Sequence, residues 1–252
     1  MATGRDAVRR TGTTSVQRAL CSSAGTGLRQ ADGIIVLGHA GRFPSTVSRS
    51  SPEHNLPIVV CGEVTDPQLL KYPRFQIDGH AAAMELTEHL IRCGHKKIAF
   101  MRGEIPLLKM NARETGYRTA MQAAGLEVDP AWLVDGYLTV EGGQRAVADL
   151  LALKDRPSAL ICANDEMALG AMGELTHRGL SAPEDLSIAG FDNTRYSRIW
   201  NPALTTIAQP AEEMGERAMH CLLRMIEGHE ITTEVEYFAH QLIIRKSVKN
   251  LE

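Results

Sequence analysis

DLSIAGFDNTRYSRIWNPALTTIAQP, residues 185–210, joins a buried strand, a polar ligand position and a second strand in one unbroken passage. Leu186 to Phe191 is a short apolar run bounded by turn formers, the pattern of a strand covered on both faces in a parallel sheet. Asp192 follows at once. A carboxylate at the carboxyl end of such a strand stands where open α/β sheets take their ligands, in the crevice beyond the strand ends. Asn193 to Pro202 reads as a loop long enough to cross to another domain, and Leu204 to Ile207 as strand again.

Outward from this passage the same alternation continues. Gly33 to Leu37, Pro57 to Cys61, Lys97 to Met101 and Ser158 to Ala163 are further strand candidates, separated by helix candidates at 79–93, 111–124, 141–153, 165–178 and 211–227. In the first of these helices Ala83, Leu86, Leu90 and Cys93 recur at three- and four-residue steps and make one apolar face. Strands alternating with helices predict an α/β fold with parallel sheets built from right-handed crossovers. Gly94, Gly125 and Gly179 fall just past predicted helices, where a left-handed cap residue is wanted.

Composition bounds what the chain does. Its 252 residues, 44% hydrophobic, can bury one large core or two smaller ones; two compact lobes is the reading adopted. A formal net charge of -3 argues against a nucleic-acid surface spread over the whole chain, so DNA contact would need a separate basic module. Cysteines at 21, 61, 93, 162 and 221 include no Cys-x-x-Cys pair, which argues against a disulfide framework or structural zinc and fits a reducing cytosol. Arg5, Arg9 and Arg10 precede no apolar core of signal-peptide length, and no run approaches a membrane span, so a cytoplasmic protein without membrane contact is expected. No Gly-x-x-x-x-Gly-Lys, His-Glu-x-x-His or Gly-x-Ser-x-Gly element occurs; no catalytic residue, metal or cofactor is expected, and the chain does not read as an enzyme.

The "GFDN…PALTTI.QP" of residues 190–210 resembles the effector-binding core of the LacI/GalR family of bacterial transcription regulators. The resemblance runs from about Ala31 to Val248. It implies two Rossmann-like lobes of the type I periplasmic-binding-protein kind, 31–102 with 208–228 and 103–207 with 229–248, with chain crossings near Gly103, Ala208 and Gly228. It further implies a small-molecule effector, a sugar or related compound, a ligand cleft between the lobes, and a homodimer. Operator DNA would be a partner only with a helix-turn-helix restored. That module, a hinge helix and the opening strands of the first lobe have no room here, so an unpaired sheet edge or a partner-dependent fold is expected, and a misplaced gene start or frame change is one explanation. Residues 1–30 contain no Ile, Phe, Trp or Tyr and show no sustained periodicity; irregular structure or one weak helix is expected there. Residues 39–55 read as a loop or short helix.

The resemblance also implies ligand contacts for Asp78, which closes FQID; Arg113, in NARETGYRTAM; Asn164, which ends SALICAN; and Asp192. A polyol presents hydroxyls as donors and acceptors, so carboxylates, amides and a guanidinium held rigidly around it suit it. Other readings stand beside these. Asp78 and Asn164 each precede a helix and could serve as N-caps; Arg113 could pair with Glu114 on an exposed face; Asp192 could be a turn residue with Asn193. Where the family offers an aromatic that stacks on the ligand, this chain has Leu138, next to Tyr137. His89, Cys93 and His95 read as core packing and a helix exit rather than metal ligands. Asp165 and Glu166 read as charges favourable at a helix N-terminus. The rival functions are a transport-system sugar-binding protein and a stand-alone small-molecule sensor.

Overall fold

The computed structural model describes residues 16–18, 32–38, 56–64, 66–103 and 112–252. In chain order the elements are β1 (Val16–Arg18), β2 (Ile34–Leu37), β3 (Ile58–Cys61), β4 (Arg74–Ile77), α1 (Gly79–Arg92), β5 (Ile98–Arg102) and α2 (Ala112–Ala123). Then follow β6 (Leu133–Asp135), α3 (Val140–Ala152), β7 (Ala159–Cys162), α4 (Asp165–His177), β8 (Ser187–Asp192), α5 (Arg195–Ile199), β9 (Thr205–Ala208), α6 (Ala211–Ile226), β10 (Val235–Phe238) and β11 (Gln241–Ile243). This is the α/β alternation that the apolar runs predict. Gly94, Gly125 and Gly179 take positive φ at the helix exits, as expected of left-handed caps. None of the described helices is long and apolar enough to cross a membrane.

The chain divides into two compact units, Met1–Phe75 with Met214–Glu236, and Gln76–Glu213 with Tyr237–Glu252. The lobe limits near residues 102, 208 and 228 are therefore displaced to 75, 213 and 236. The largest displacement has a plain cause. Helix α1 packs on α2, so closely that a Cβ on Gly116 would lie 2.1 Å from the His80 carbonyl oxygen, which ties α1 to the second unit.

The first unit holds most of a five-stranded sheet in the order β1-β2-β3-β4-β10, of which β4 and β10 run on past the unit limits at Phe75 and Glu236. β2, β3 and β4 are parallel, with Ile34 opposite Ile58 and Val60 opposite Arg74. Ile34, Val36, Ile58, Val60 and Leu69 form its core. α6 buries Met214, Ala218, Cys221 and Leu222 at helical spacing. The space a Gly33 side chain would need is filled by Leu222, 2.7 Å from the position of such a Cβ. At the β2 edge the expectation of irregular or helical structure fails: Val16–Arg18 pairs antiparallel with β2, Val16 opposite Val36. An exposed row of backbone donors and acceptors templates whatever extended segment can reach it. The remainder of residues 1–31, and residues 39–55, lie outside the described residues.

The second unit holds a six-stranded sheet, β11-β9-β8-β7-β5-β6, parallel throughout except for β11. β5, β7 and β8 are buried almost end to end, as their continuous apolar runs require. Residues 193–202 do not cross to another domain. They hold α5, and β9 returns beside β8 in the same sheet, Asp192 opposite Ala208. The chain steps outward from β5 to β6, then back past β5 to β7 and on to β8. With right-handed crossovers this puts α2 on one face and α3 and α4 on the other. α3 and α4 approach so closely that Cβ atoms on Gly143 and Gly170 would lie 2.2 and 2.1 Å from backbone oxygens of Met167 and Val140.

Candidate functional site

Because β6, β5, β7, β8 and β9 run parallel in register, their carboxyl ends form one edge. Along it stand Asp135, Arg102, Asn164, Asp192 and Gln209, each at or just past its strand. Strand order reverses between β5 and β7, where the following helices α2 and α4 leave on opposite faces. Such a switch point is the usual ligand position of an open α/β sheet.

Arg113, the second residue of α2, reaches into this edge with its side chain 16% exposed. Its Nη1 donates to the Ala163 carbonyl and lies 4.0 Å from Asp192 Oδ1, and the guanidinium stands 4.6 Å from the centre of the Phe191 ring. The alternative partner, Glu114, is engaged by Arg118 one turn on, at 2.8 Å. A guanidinium fixed against a ring, a carbonyl and a carboxylate is preorganised for an oxygen-rich ligand.

Asn164 is the N-cap of α4, its Oδ1 accepting from Met167 N at 2.9 Å, while its Nδ2 faces the Leu138 carbonyl at 3.5 Å. Capping leaves the rest of the amide facing the strand ends. Leu138 and Tyr137 both have left-handed backbones, φ 57° and 55°. The Leu138 side chain lies over Gly103, where an added Cβ would come 2.4 Å from its Cδ2. Thus Arg113, Asn164, Asp192 and Leu138 share one edge, linked through Ala163 and through the Asn164–Leu138 contact. Asp78 stands apart: it is exposed, caps α1 by accepting from Ala81 N at 2.9 Å, and makes no described contact with the other four.

Asp192 has φ 100° and Asn193 φ 53°. Single left-handed residues other than glycine are uncommon, and adjacent pairs cluster where surrounding structure enforces them. Here Gln209 Nε2 donates to Asp192 Oδ1 at 2.5 Å, and Arg245 Nη2 to Asn193 Oδ1 at 2.5 Å. Asp165 is fully buried and accepts from Thr194 N, Thr194 Oγ1 and Thr206 Oγ1 at 2.7, 3.1 and 2.6 Å. Burial pushes its carboxyl up to about 6, with the threonine hydrogen bonds opposing and the Asp192 charge adding to the rise. Burial also lowers the Arg245 pKa. Asp165 stands in the first turn of α4, as expected of an acidic residue at a helix start, and it also anchors the loop after β8. Gln209, Asp165 and Arg245 were not singled out by the sequence as site residues. Gln209 lies inside the diagnostic passage, but no local pattern marks the other two as neighbours of Asp192.

Comparison with known proteins agrees with this architecture. The sequence profile of the periplasmic binding protein-like domain matches residues 87–248. The transcriptional repressor CytR of Escherichia coli K12 is 36% identical over 223 residues, 88% of this chain. The chain spans 64% of the length of that relative. The crystal structure of a putative transcriptional regulator LacI from Bacillus cereus subsp. cytotoxis superposes with a TM-score of 0.79 at 30% identity, covering 89% of this chain and 78% of that one. A LacI-family regulator from Enterococcus faecium, solved with bound ribose, gives 0.73 at 26% identity, covering 83% and 77%. The match over most of the chain, with Asp192 standing at the carboxyl end of a buried parallel strand, means that this protein belongs to the periplasmic binding protein-like family and, within it, carries the core of a LacI/GalR regulator.

Proposed function

We propose that this chain is the effector-sensing core of a LacI-type transcription regulator. It binds a sugar or related polyol without transforming it, in the cytoplasm, and contributes to a homodimer whose DNA reader lies outside these residues. Arg113, Asn164 and Asp192 are the ligand's polar contacts, with Leu138 packing against it and Asp78 a further contact. One observation carries the reading: the Arg113 guanidinium lies 4.0 Å from Asp192 Oδ1 at the carboxyl edge of the parallel sheet. A side-by-side cation and anion of fixed geometry can accept from one hydroxyl and donate to its neighbour, which is how vicinal diols are held. The ribose bound to the Enterococcus faecium regulator supports this ligand class. Sensing then requires the ligand to favour one arrangement of the core over another.

A thermal-shift panel of pentoses, hexoses, disaccharides, sugar acids and nucleobases tests the reading. A ligand present at 100 times its Kd adds about 2.7 kcal/mol of stability. The expected outcome is a shift from one sugar that disappears in Arg113→Ala and Asp192→Ala. Equal shifts in all three proteins, or a shift from nucleobases alone, would reject it.

A further inference from the structure

We propose that Asp165, Gln209 and Arg245 are positioning residues of the effector site. From three separate elements they lock the turn Asp192–Asn193–Thr194 so that the Asp192 carboxylate is presented in one orientation. The inference rests on the reading of this edge as the effector site.

Each successive residue of the turn is held by one of the three. Gln209, directly after β9, holds the Asp192 side chain at 2.5 Å. Arg245, beyond β11, holds the Asn193 side chain at 2.5 Å. Asp165, the first residue of α4, holds both the backbone N–H and the hydroxyl of Thr194. The anchors are themselves fixed. Arg245 Nη1 donates to the Leu204 carbonyl at 2.6 Å and to Ser197 Oγ at 3.2 Å, and its backbone N–H donates to Thr205 Oγ1 at 2.9 Å. The second Asp165 oxygen accepts from Thr206 Oγ1 on β9 at 2.6 Å, and the strand backbone leaves room for nothing larger than glycine beside it: a Cβ on Gly190 would sit 2.6 Å from that oxygen.

Left-handed backbone costs roughly 1–2 kcal/mol per residue for an L side chain, so two in succession persist only where the surroundings over-determine them. Three independent polar anchors on three consecutive residues do so. With Gln209 and Arg113 both on the Oδ1 side, no described residue bonds Asp192 Oδ2, which is thereby offered to a ligand hydroxyl. A buried carboxylate is a costly way merely to pack a helix start. Here two of its three hydrogen bonds go to the residue that ends the turn.

The test pairs peptide-resolved hydrogen exchange across residues 190–197 with calorimetric titration of ribose, on the full chain and its Gln209→Ala, Arg245→Ala, Arg245→Lys and Asp165→Asn variants. Gln209→Ala and Arg245→Ala should speed exchange in 190–197 by about tenfold or more while β5 keeps the parent rate. Ribose affinity should fall by about tenfold or more in both. Arg245→Lys should recover part of each effect, and Asp165→Asn, which keeps an acceptor for Thr194, should sit between it and the parent. Parent-like exchange in 190–197 overturns the proposal, as does faster exchange with ribose affinity intact, or faster exchange across the whole sheet in every variant. A parent that does not bind ribose removes ribose from the functional reading only. The positioning roles are then decided by exchange alone, local acceleration upholding them and parent-like rates overturning them.

Discussion

Two left-handed turns stand on the same sheet edge, and they are held by different physics. Asp192–Asn193 is held by polar side chains that arrive from 17, 29 and 52 residues away. Tyr137–Leu138 is held mainly by backbone hydrogen bonds and packing. Gly136 N donates to the Arg102 carbonyl, Thr139 N returns to the Gly136 carbonyl, and Leu138 rests on Gly103. The Arg102–Asp135 ion pair, 2.8 Å, ties the two strands just before it. A turn fixed by charged hydrogen bonds gives a carboxylate with one orientation. A turn fixed by packing and backbone bonds holds its Leu138 side chain by volume, against Gly103.

Asp165→Ala breaks the first turn most severely. It removes the buried acceptor of three donors, and about 3 kcal/mol of unfolding free energy should be lost in urea titration, with Asp165→Asn losing much less. The pH dependence of the same residue sharpens the point. Its folded pKa lies near 6, above the 3.8 of the free carboxyl, so between those values the native state binds more protons than the unfolded one. Its contribution to stability is therefore fullest below about 4 and declines as pH rises through about 6, by up to about 3 kcal/mol. The difference in unfolding free energy between the parent and Asp165→Asn, measured from pH 4 to 7, should move in favour of the variant. A constant difference would show that this carboxyl does not titrate in that window.

The second turn should respond to volume instead. Gly103→Ala places a methyl against Leu138 and should cost about 2 kcal/mol by overpacking. Most of that cost should vanish when Leu138→Ala is added, a coupling of about 1 kcal/mol or more in a double-mutant cycle. The smallest effect is Leu138→Gly. Relief of the left-handed backbone is opposed by added unfolded-state freedom and lost packing, so stability should change by under about 1 kcal/mol. Asn193→Gly at the first turn, with the same backbone relief, should lose more because the Arg245 bond goes with it.

Much of the fold was legible because its signals are local. Apolar runs of four to six residues marked β2, β3, β5, β7 and β8, and helical periodicity marked α1 through α4 and α6. The weakly apolar β6, β10 and β11 carried no such signal, and α5 lay hidden in a stretch that reads as loop. Of the candidate site, Arg113, Asn164, Asp192 and Leu138 were named through the family resemblance, and the structure brings them to one edge. Asp78 is an N-cap without described contact to them, since a carboxylate before a helix looks the same in sequence whichever role it plays.

The sequence by itself determined the alternation of strand and helix, the placement of polar residues at strand ends, and the family. These depend on periodicity and on neighbours a few positions apart. Only the tertiary structure decided that β9 lies beside β8, that α1 belongs with α2, and that Gln209, Asp165 and Arg245 meet at one turn. Such pairings follow from strand order and helix packing, in which residues far apart along the chain compete for the same space, and no local pattern carries that information.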